Sequence, residues 1–321
     1  MCIAALGVDA GEREGGWLLF LLLQLSLGPL VGGLVGWLGG RAVDFASRRD
    51  WMEPTFQRLA AASIAILAFA CAEAKSRYNL ANVGVSAVAS GDGYRLDGEK
   101  IAVLNGHCAD HLLVVARTSG KQRDEHGISL FVVDANSDGV QRRSYPLVDG
   151  TRGADIQFEG VQLGANALLG ELDTALPLIE DVVAQALVAM GAEAVGAMDA
   201  LLEQTVEYTK TREQFGQPIG KFQALQHRMA DMYLQCQSLR SLNYYAAICR
   251  DEQRPDMVQA ASGLKVKLAE ASRFVSQQAV QLHGGIGMTD ELGISHYFKR
   301  LLLLNTLFGD GEHHLERYLQ A

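Results

Sequence analysis

Beyond residue 82 the hydrophobic period of this 321-residue chain changes once, near Leu172, and that change restricts this part of the fold to a β unit followed by a helical one. Ahead of it, residues 82–170 read as strands, with alternation in Tyr94-Arg95-Leu96-Asp97 and apolar runs at 112–116 and 128–133. Turn signals separate these runs: Gly91-Asp92-Gly93, Asp97-Gly98, Asn105-Gly106, Asp138-Gly139 and Asp149-Gly150. Such spacing, with no long helical period between, predicts an antiparallel barrel or sandwich. Behind Leu172, Ala, Leu, Met, Gln and Glu dominate, and proline stands only at Pro177, Pro218 and Pro255. Long helices are expected near 178–210, 221–251 and 256–282, with a shorter one near 290–307. Short connections between them predict an antiparallel four-helix bundle, and an α+β class for the whole.

The first quarter of the chain has another character. From Trp17 to Gly40 there is no ionisable residue. A helix of about 24 residues, rising 1.5 Å each, crosses a hydrocarbon core of ~30 Å. Gly32, Gly33 and Gly36 suit close helix contact in lipid, and Trp17 and Trp37 mark the two interfaces. A buried core helix is the alternative reading. Glu12 and Glu14 fit a signal peptide poorly. A second apolar run, 59–72, is short for a span and reads equally as a buried helix. Arg41, Arg48, Arg49 and Arg58 make the stretch between them a basic, cytoplasmic-side loop.

A net charge of −9 argues against nucleic acid as a partner, and 7% aromatic residues leave little for base stacking. Five scattered cysteines without CxxC spacing disfavour a disulfide framework and a zinc ribbon, and fit a reducing cytoplasm.

Two segments at the joints between helices carry the chemistry. The first runs Tyr208-Thr209-Lys210-Thr211-Arg212-Glu213-Gln214-Phe215-Gly216-Gln217-Pro218-Ile219-Gly220-Lys221-Phe222-Gln223. It offers an arginine fork for pyrophosphate oxygens and a flat ring for a purine within one turn. A plain helix–turn–helix corner, with Arg212 on a neighbouring carboxylate, needs the same residues. The second, Gln281-Leu282-His283-Gly284-Gly285-Ile286-Gly287, frees backbone N–H groups for an anion, although glycine also ends helices for structural reasons alone.

In this order, the two segments resemble the acyl-CoA dehydrogenase family over residues 76–321. The resemblance implies FAD as cofactor and α,β-dehydrogenation of an acyl-CoA thioester, with electrons leaving to an electron-transfer flavoprotein. Carried over by position, it assigns Arg212, Gln214 and Phe215 to the adenine and pyrophosphate, with Phe222 and Gln223 beside them. Gln281, Gly284 and Gly285 reach the pyrophosphate of a neighbouring subunit's FAD, which implies at least a dimer, and in this family a dimer of dimers.

Three departures follow. The family's catalytic glutamate falls here at Phe308 or Gly309, neither of which takes a proton. The position some members use on the first bundle helix holds Ala186 and Leu187, with Glu193 about two turns further on. Asp310, Glu312 and His313 are the remaining candidates, Asp310 foremost in our assignment. Adjacent histidines diverge on a helix, so no metal site is expected at Glu312-His313-His314. The Phe308–Leu315 ending resembles the degenerate subunits of heteromeric members, which act on bulky acyl-CoAs, steroid side chains included, beside a partner that carries the base. Second, Lys100–Gly106 resembles the strand that supplies Trp and Thr to the flavin ring, yet has Ala102 and Leu104 in those places.

Third, the family's first helical domain is replaced by residues 1–75, of which 40–59 resembles a fragment of a sodium- or potassium/proton antiporter. The expected domains are thus an apolar helical segment at 1–75, with membrane contact through 17–40, a middle β-domain at 76–170 and a helical domain at 171–321. The expected role is a flavoprotein subunit working with a catalytic partner. A non-catalytic or membrane-anchored scaffold is the alternative.

Overall fold

The computed structural model describes residues Leu67 to Gln320, and every structural statement below refers to these. The expectations of apolar helices, a membrane segment and an antiporter-like stretch before Leu67 lie outside the described residues.

Eight strands come first: β1 (Leu67–Ala70), β2 (Ser86–Ser90), β3 (Gly93–Leu104), β4 (His111–Arg117), β5 (Ile128–Asp134), β6 (Val140–Pro146), β7 (Arg152–Gly164) and β8 (Leu168–Leu169). They form one sheet in the order β6-β7-β3-β2-β4-β5-β8, with β1 added on β4. Pairing is antiparallel between β2 and β3, β3 and β7, β4 and β5, and β6 and β7, while β2 meets β4 in parallel at a single position. The apolar alternation explains the core: Leu96, Leu112, Val114, Phe131, Val133, Ile156 and Phe158 all point into one cluster.

Two sequence expectations are corrected here. Asp97-Gly98 does not turn the chain; it lies inside β3, where the register with β7 shifts. Gly98 adopts φ +135°, and a Cβ there would come within 2.9 Å of Val85, so the position demands glycine for a bulge. The end of the apolar run 59–72 is strand β1, not helix, because its alternate residues Ala68 and Ala70 are drawn into the β core. The helical character expected for residues 67–75 is therefore absent.

The helical part comprises α1 (Leu176–Thr211), α2 (Gln223–Asp251), α3 (Met257–His283) and α4 (Gly293–Thr306). Pro177 sits in the first turn of α1, where its missing N–H costs nothing. Pro255 separates α2 from α3. On α3, Ala260, Leu264, Leu268, Ala271, Val275, Ala279 and Leu282 recur at helical spacing and face the bundle interior. A fifth helix, α5 (Gly311–Gln320), was not expected and packs on α3, where the Gln259 amide donates to the Tyr318 carbonyl at 3.3 Å.

A third cluster joins sheet to bundle: Val115, Ile128 and Leu130 pack on Leu176, Ile179 and Val183 of α1. Arg300 of α4 donates to Asp149 of the β6–β7 turn at 2.8 Å and to Glu193 of α1 at 2.5 and 3.1 Å. Buried Arg117 donates to the carbonyls of Ala81, Val83, Ser119, Gln122, Asp124 and His126 at 2.8–3.3 Å, which ties two loops together.

Candidate functional site

The first motif is a hairpin beyond the end of α1. Glu213–Gln214 (β9) pairs with Gln217–Pro218 (β10), and Phe215 (φ +55°) and Gly216 (φ +79°) form the two-residue turn between them. Two consecutive positive φ angles match a type I′ turn, an uncommon state for a bulky residue. The cost of holding Phe215 there is coupled to a ring that is 93% exposed. Its edge meets the Phe222 ring at 6.1 Å. Arg212 caps α1 through backbone bonds to Tyr208 and Ile219, while its guanidinium has no hydrogen bond or ion pair among the described residues. The corner reading, in which Arg212 is held by a carboxylate, is not what the geometry contains. Gln214 and Gln223 are exposed beside it.

The second motif lies at the same end of the bundle, because α1 and α3 run the same way. The Tyr208 ring stacks on His283 at 4.4 Å, and its hydroxyl donates to the His283 carbonyl at 3.3 Å. Burial pushes the His283 imidazole below its usual range. The next residue, Gly284, has φ +66° with open space around its missing Cβ, and Gln281, Gly284 and Gly285 are all exposed. A 3-10 turn, Gly284–Met288, follows. The structure thus brings the two motifs to one end of the bundle through Tyr208 and His283.

The turn between α4 and α5 holds the positions where the base was sought. Phe308 (φ +55°) packs its ring into both the bundle core and the sheet–bundle cluster. Gly309 has φ +118°, and a Cβ there would meet His314 at 2.5 Å, so no side chain fits. Asp310 accepts the His313 backbone N–H at 2.9 Å, the bond of a helix N-cap. Its carboxylate therefore starts α5 while facing a cleft of about 550 Å³ lined also by Arg77, Tyr78, Glu312, His313 and Arg317. His313 lies 5.5 Å from the Tyr78 ring, and burial lowers its affinity for a proton.

Two residues the sequence reading missed clamp this turn. Fully buried His314 donates from Nε2 to the Phe308 carbonyl at 2.9 Å and faces Ser262 from Nδ1. Burial lowers its pKa to about 4. Fully buried Lys265 donates from Nζ to the carbonyls of Leu304 and Leu307, and burial lowers its pKa to about 7. The helical register gave a signal: Lys265 interrupts the apolar face between Ala261, Leu264 and Leu268.

The other base candidates are committed elsewhere. Leu187 is core and Ala186 half-buried. Glu193, about two turns beyond that position, is held in an ion pair by the Nε and one terminal nitrogen of Arg300. At the flavin-ring position, Ala102 has φ +52° and donates its N–H to Asp155 at 3.1 Å, which also accepts from Tyr145 at 2.7 Å and Arg143 at 2.6 Å. Against the opposing cost of burial, bonds from Arg143, Tyr145 and the Ala102 N–H hold the Asp155 carboxyl below the usual range.

Residues 68–161 match the model of the acyl-CoA dehydrogenase middle domain, and residues 178–321 that of the acyl-CoA dehydrogenase C-terminal domain. The chain is 31% identical to the short-chain-specific acyl-CoA dehydrogenase of Megasphaera elsdenii over 68% of its own length, but spans only 57% of that relative. It is 30% identical to the probable acyl-CoA dehydrogenase YngJ of Bacillus subtilis (strain 168), covering 81% of this chain and 69% of that one. The solved structure of butyryl-CoA dehydrogenase from Megasphaera elsdenii superposes with a TM-score of 0.76 at 26% identity, covering 82% of this chain and 69% of the other. Fold, motif order and sequence identity agree, and the chain belongs to the acyl-CoA dehydrogenase family.

Proposed function

We propose that this chain is an FAD-binding subunit of an acyl-CoA dehydrogenase whose catalytic base is supplied by a partner subunit. The observation that carries the reading is the pairing of an uncommitted Arg212 and outward Phe215 with a 308–309 position that has no proton acceptor. The residues fit the adenine and pyrophosphate end of FAD: a free guanidinium, an exposed ring and an open Gly284 backbone. At the ring end Ala102 offers no stacking surface and its N–H is already taken by Asp155.

When bound, FAD would supply the two-electron acceptor for oxidation of a Cα–Cβ bond, with an electron-transfer flavoprotein as the onward acceptor. Arg212, Gln214 and Phe215 would contact its adenine and pyrophosphate, with Phe222 and Gln223 beside them. Gln281, Gly284 and Gly285 present backbone and amide donors to the pyrophosphate of a second subunit's FAD. Removal of the α-proton is assigned to a carboxylate of the partner, since positions 308 and 309 hold Phe and Gly and Asp310 serves as the α5 cap. The substrate class is an acyl-CoA thioester.

FAD titration of the full chain, followed by flavin fluorescence, tests the assignment. Arg212→Ala is expected to weaken FAD binding by about tenfold to a hundredfold, the loss of one charge-assisted pair of ~1.5–3 kcal/mol. Equal FAD affinity in the two proteins contradicts it. A chain that binds no flavin with or without a partner is a scaffold.

A further inference from the structure

Helix α5 buries fewer side chains than any of α1 to α4: of its ten residues only His314 is buried. Leu315, Tyr318 and Leu319 are 42–76% exposed. The helix lies over α3 from Gln259 to Ala269, and so covers Ser262 and Lys265. Its other tie is the Arg317 guanidinium, which donates to Glu180 of α1 at 3.2 Å. Phe308 and Gly309, both at positive φ, make the link from α4 a sharp corner rather than continuous helix. A short helix with one buried side chain belongs to the parts of a fold that open without global unfolding.

Beneath α5 are two seats shaped for uncharged side chains. The Nζ of Lys265 reaches two acceptors, the carbonyls of Leu304 and Leu307, and among the described residues no carboxylate pairs with it. A neutral amine has two N–H bonds and fills both, whereas an ammonium has a third with no acceptor here. His314 donates from Nε2 to the Phe308 carbonyl, which leaves Nδ1 to accept from the Ser262 hydroxyl at 3.4 Å. Lys265 and His314 also face each other, so a charge on one opposes a charge on the other. The remaining titratable groups around them are Asp310, which faces Lys265, and His313 and Arg317, which face His314. Of these only Asp310 favours a proton. Burial outweighs it, and lowers the Lys265 pKa to about 7 and that of His314 to about 4.

We propose that α5 is a movable wall of the cleft beside it, and that protons taken up by Lys265, and at lower pH by His314, favour its release from α3. Release lets water reach both side chains, so the open state holds protons that the docked state sheds. Asp310, Glu312, His313, Glu316 and Arg317 line the cleft from α5 and its cap, and they leave together. Access to the cleft therefore rises as pH falls. The release needs neither flavin nor partner, so its failure and the failure of FAD binding are separate results.

Amide hydrogen exchange of the full chain, read on peptides covering 311–320 from pH 4 to 10, tests it. Protection is taken relative to an unstructured peptide of the same sequence. It is expected to stay below that of the buried middle of α1, Ala194 to Leu201, and to rise about tenfold per pH unit from 7 toward 10. Lys265→Gln keeps two N–H donors for the carbonyls but cannot titrate, and is expected to abolish that rise while α5 stays protected. A further rise from pH 4 to 6.5 is expected, and His314→Gln should abolish it. Wild-type protection that is flat in either range overturns the proposal. So does α5 protection equal to that of α1 at every pH, and so does an upper rise that survives in Lys265→Gln. If Lys265→Gln leaves α5 unprotected throughout, the wild-type chain decides: the two rises uphold the proposal and a flat profile overturns it.

Discussion

The Nε2 of His314 reaches the carbonyl of Phe308 at 2.9 Å across Gly309, and this bond holds the α4–α5 turn closed. Folding favours neutral His314, whose pKa falls from 6.5 to about 4 through burial. The unfolded chain therefore binds the extra proton between those values, and stability rises with pH across pH 4 to 6.5. Chemical denaturation at several pH values should show that rise, and His314→Gln should flatten it. An unchanged slope in the variant removes the assignment.

Lys265 makes a second, higher window. Its pKa is lowered from 10.5 to about 7, so the folded chain sheds a proton that the unfolded chain keeps. Stability is expected to rise from pH 7 toward 10 and to lose that component in Lys265→Met. The same variant leaves the carbonyls of Leu304 and Leu307 without their donor, at a cost of about 1–3 kcal/mol each where no water enters.

Two glycines with positive φ should respond very differently to alanine. Gly216→Ala meets nothing within 4 Å, so only backbone strain of about 1 kcal/mol is expected. Gly309→Ala adds a Cβ 2.5 Å from His314 Nε2 and 2.7 Å from the His313 ring, and should cost several times as much. Thermal melts of the two variants compare them directly.

At the joint of sheet and bundle, Arg300→Ala removes the ion partner of Asp149, whose side chain is only 1% exposed, and leaves it the two bonds from Thr151. A loss of about 3 kcal/mol is expected, as for other broken buried pairs. Glu193→Gln should cost less than about 1 kcal/mol, because Glu193 remains 42% exposed. Equal losses in the two variants contradict the asymmetry.

The long helices were legible because proline and glycine mark their ends: Pro177, Pro218 and Pro255 bracket α1 to α3 within two or three residues of the expected bounds. Helix α5 escaped notice because Gly311–Gln320 is short and mostly polar, and only His314 is buried. Strand β1 was hidden in an apolar run that reads as helix until its alternation is matched to β4. Among the site residues, the surface motifs around Arg212 and Gly284 stood out, since their unusual backbone requires particular residue types. Lys265 and His314 did not, because their partners are backbone carbonyls, which leave no pattern in sequence.

The most direct test of the account is acyl-CoA-dependent dye reduction by the purified full chain, alone and with a family member that retains the glutamate. Negligible turnover is expected of the chain alone, and restored turnover of the mixture. Full turnover by the chain alone contradicts it.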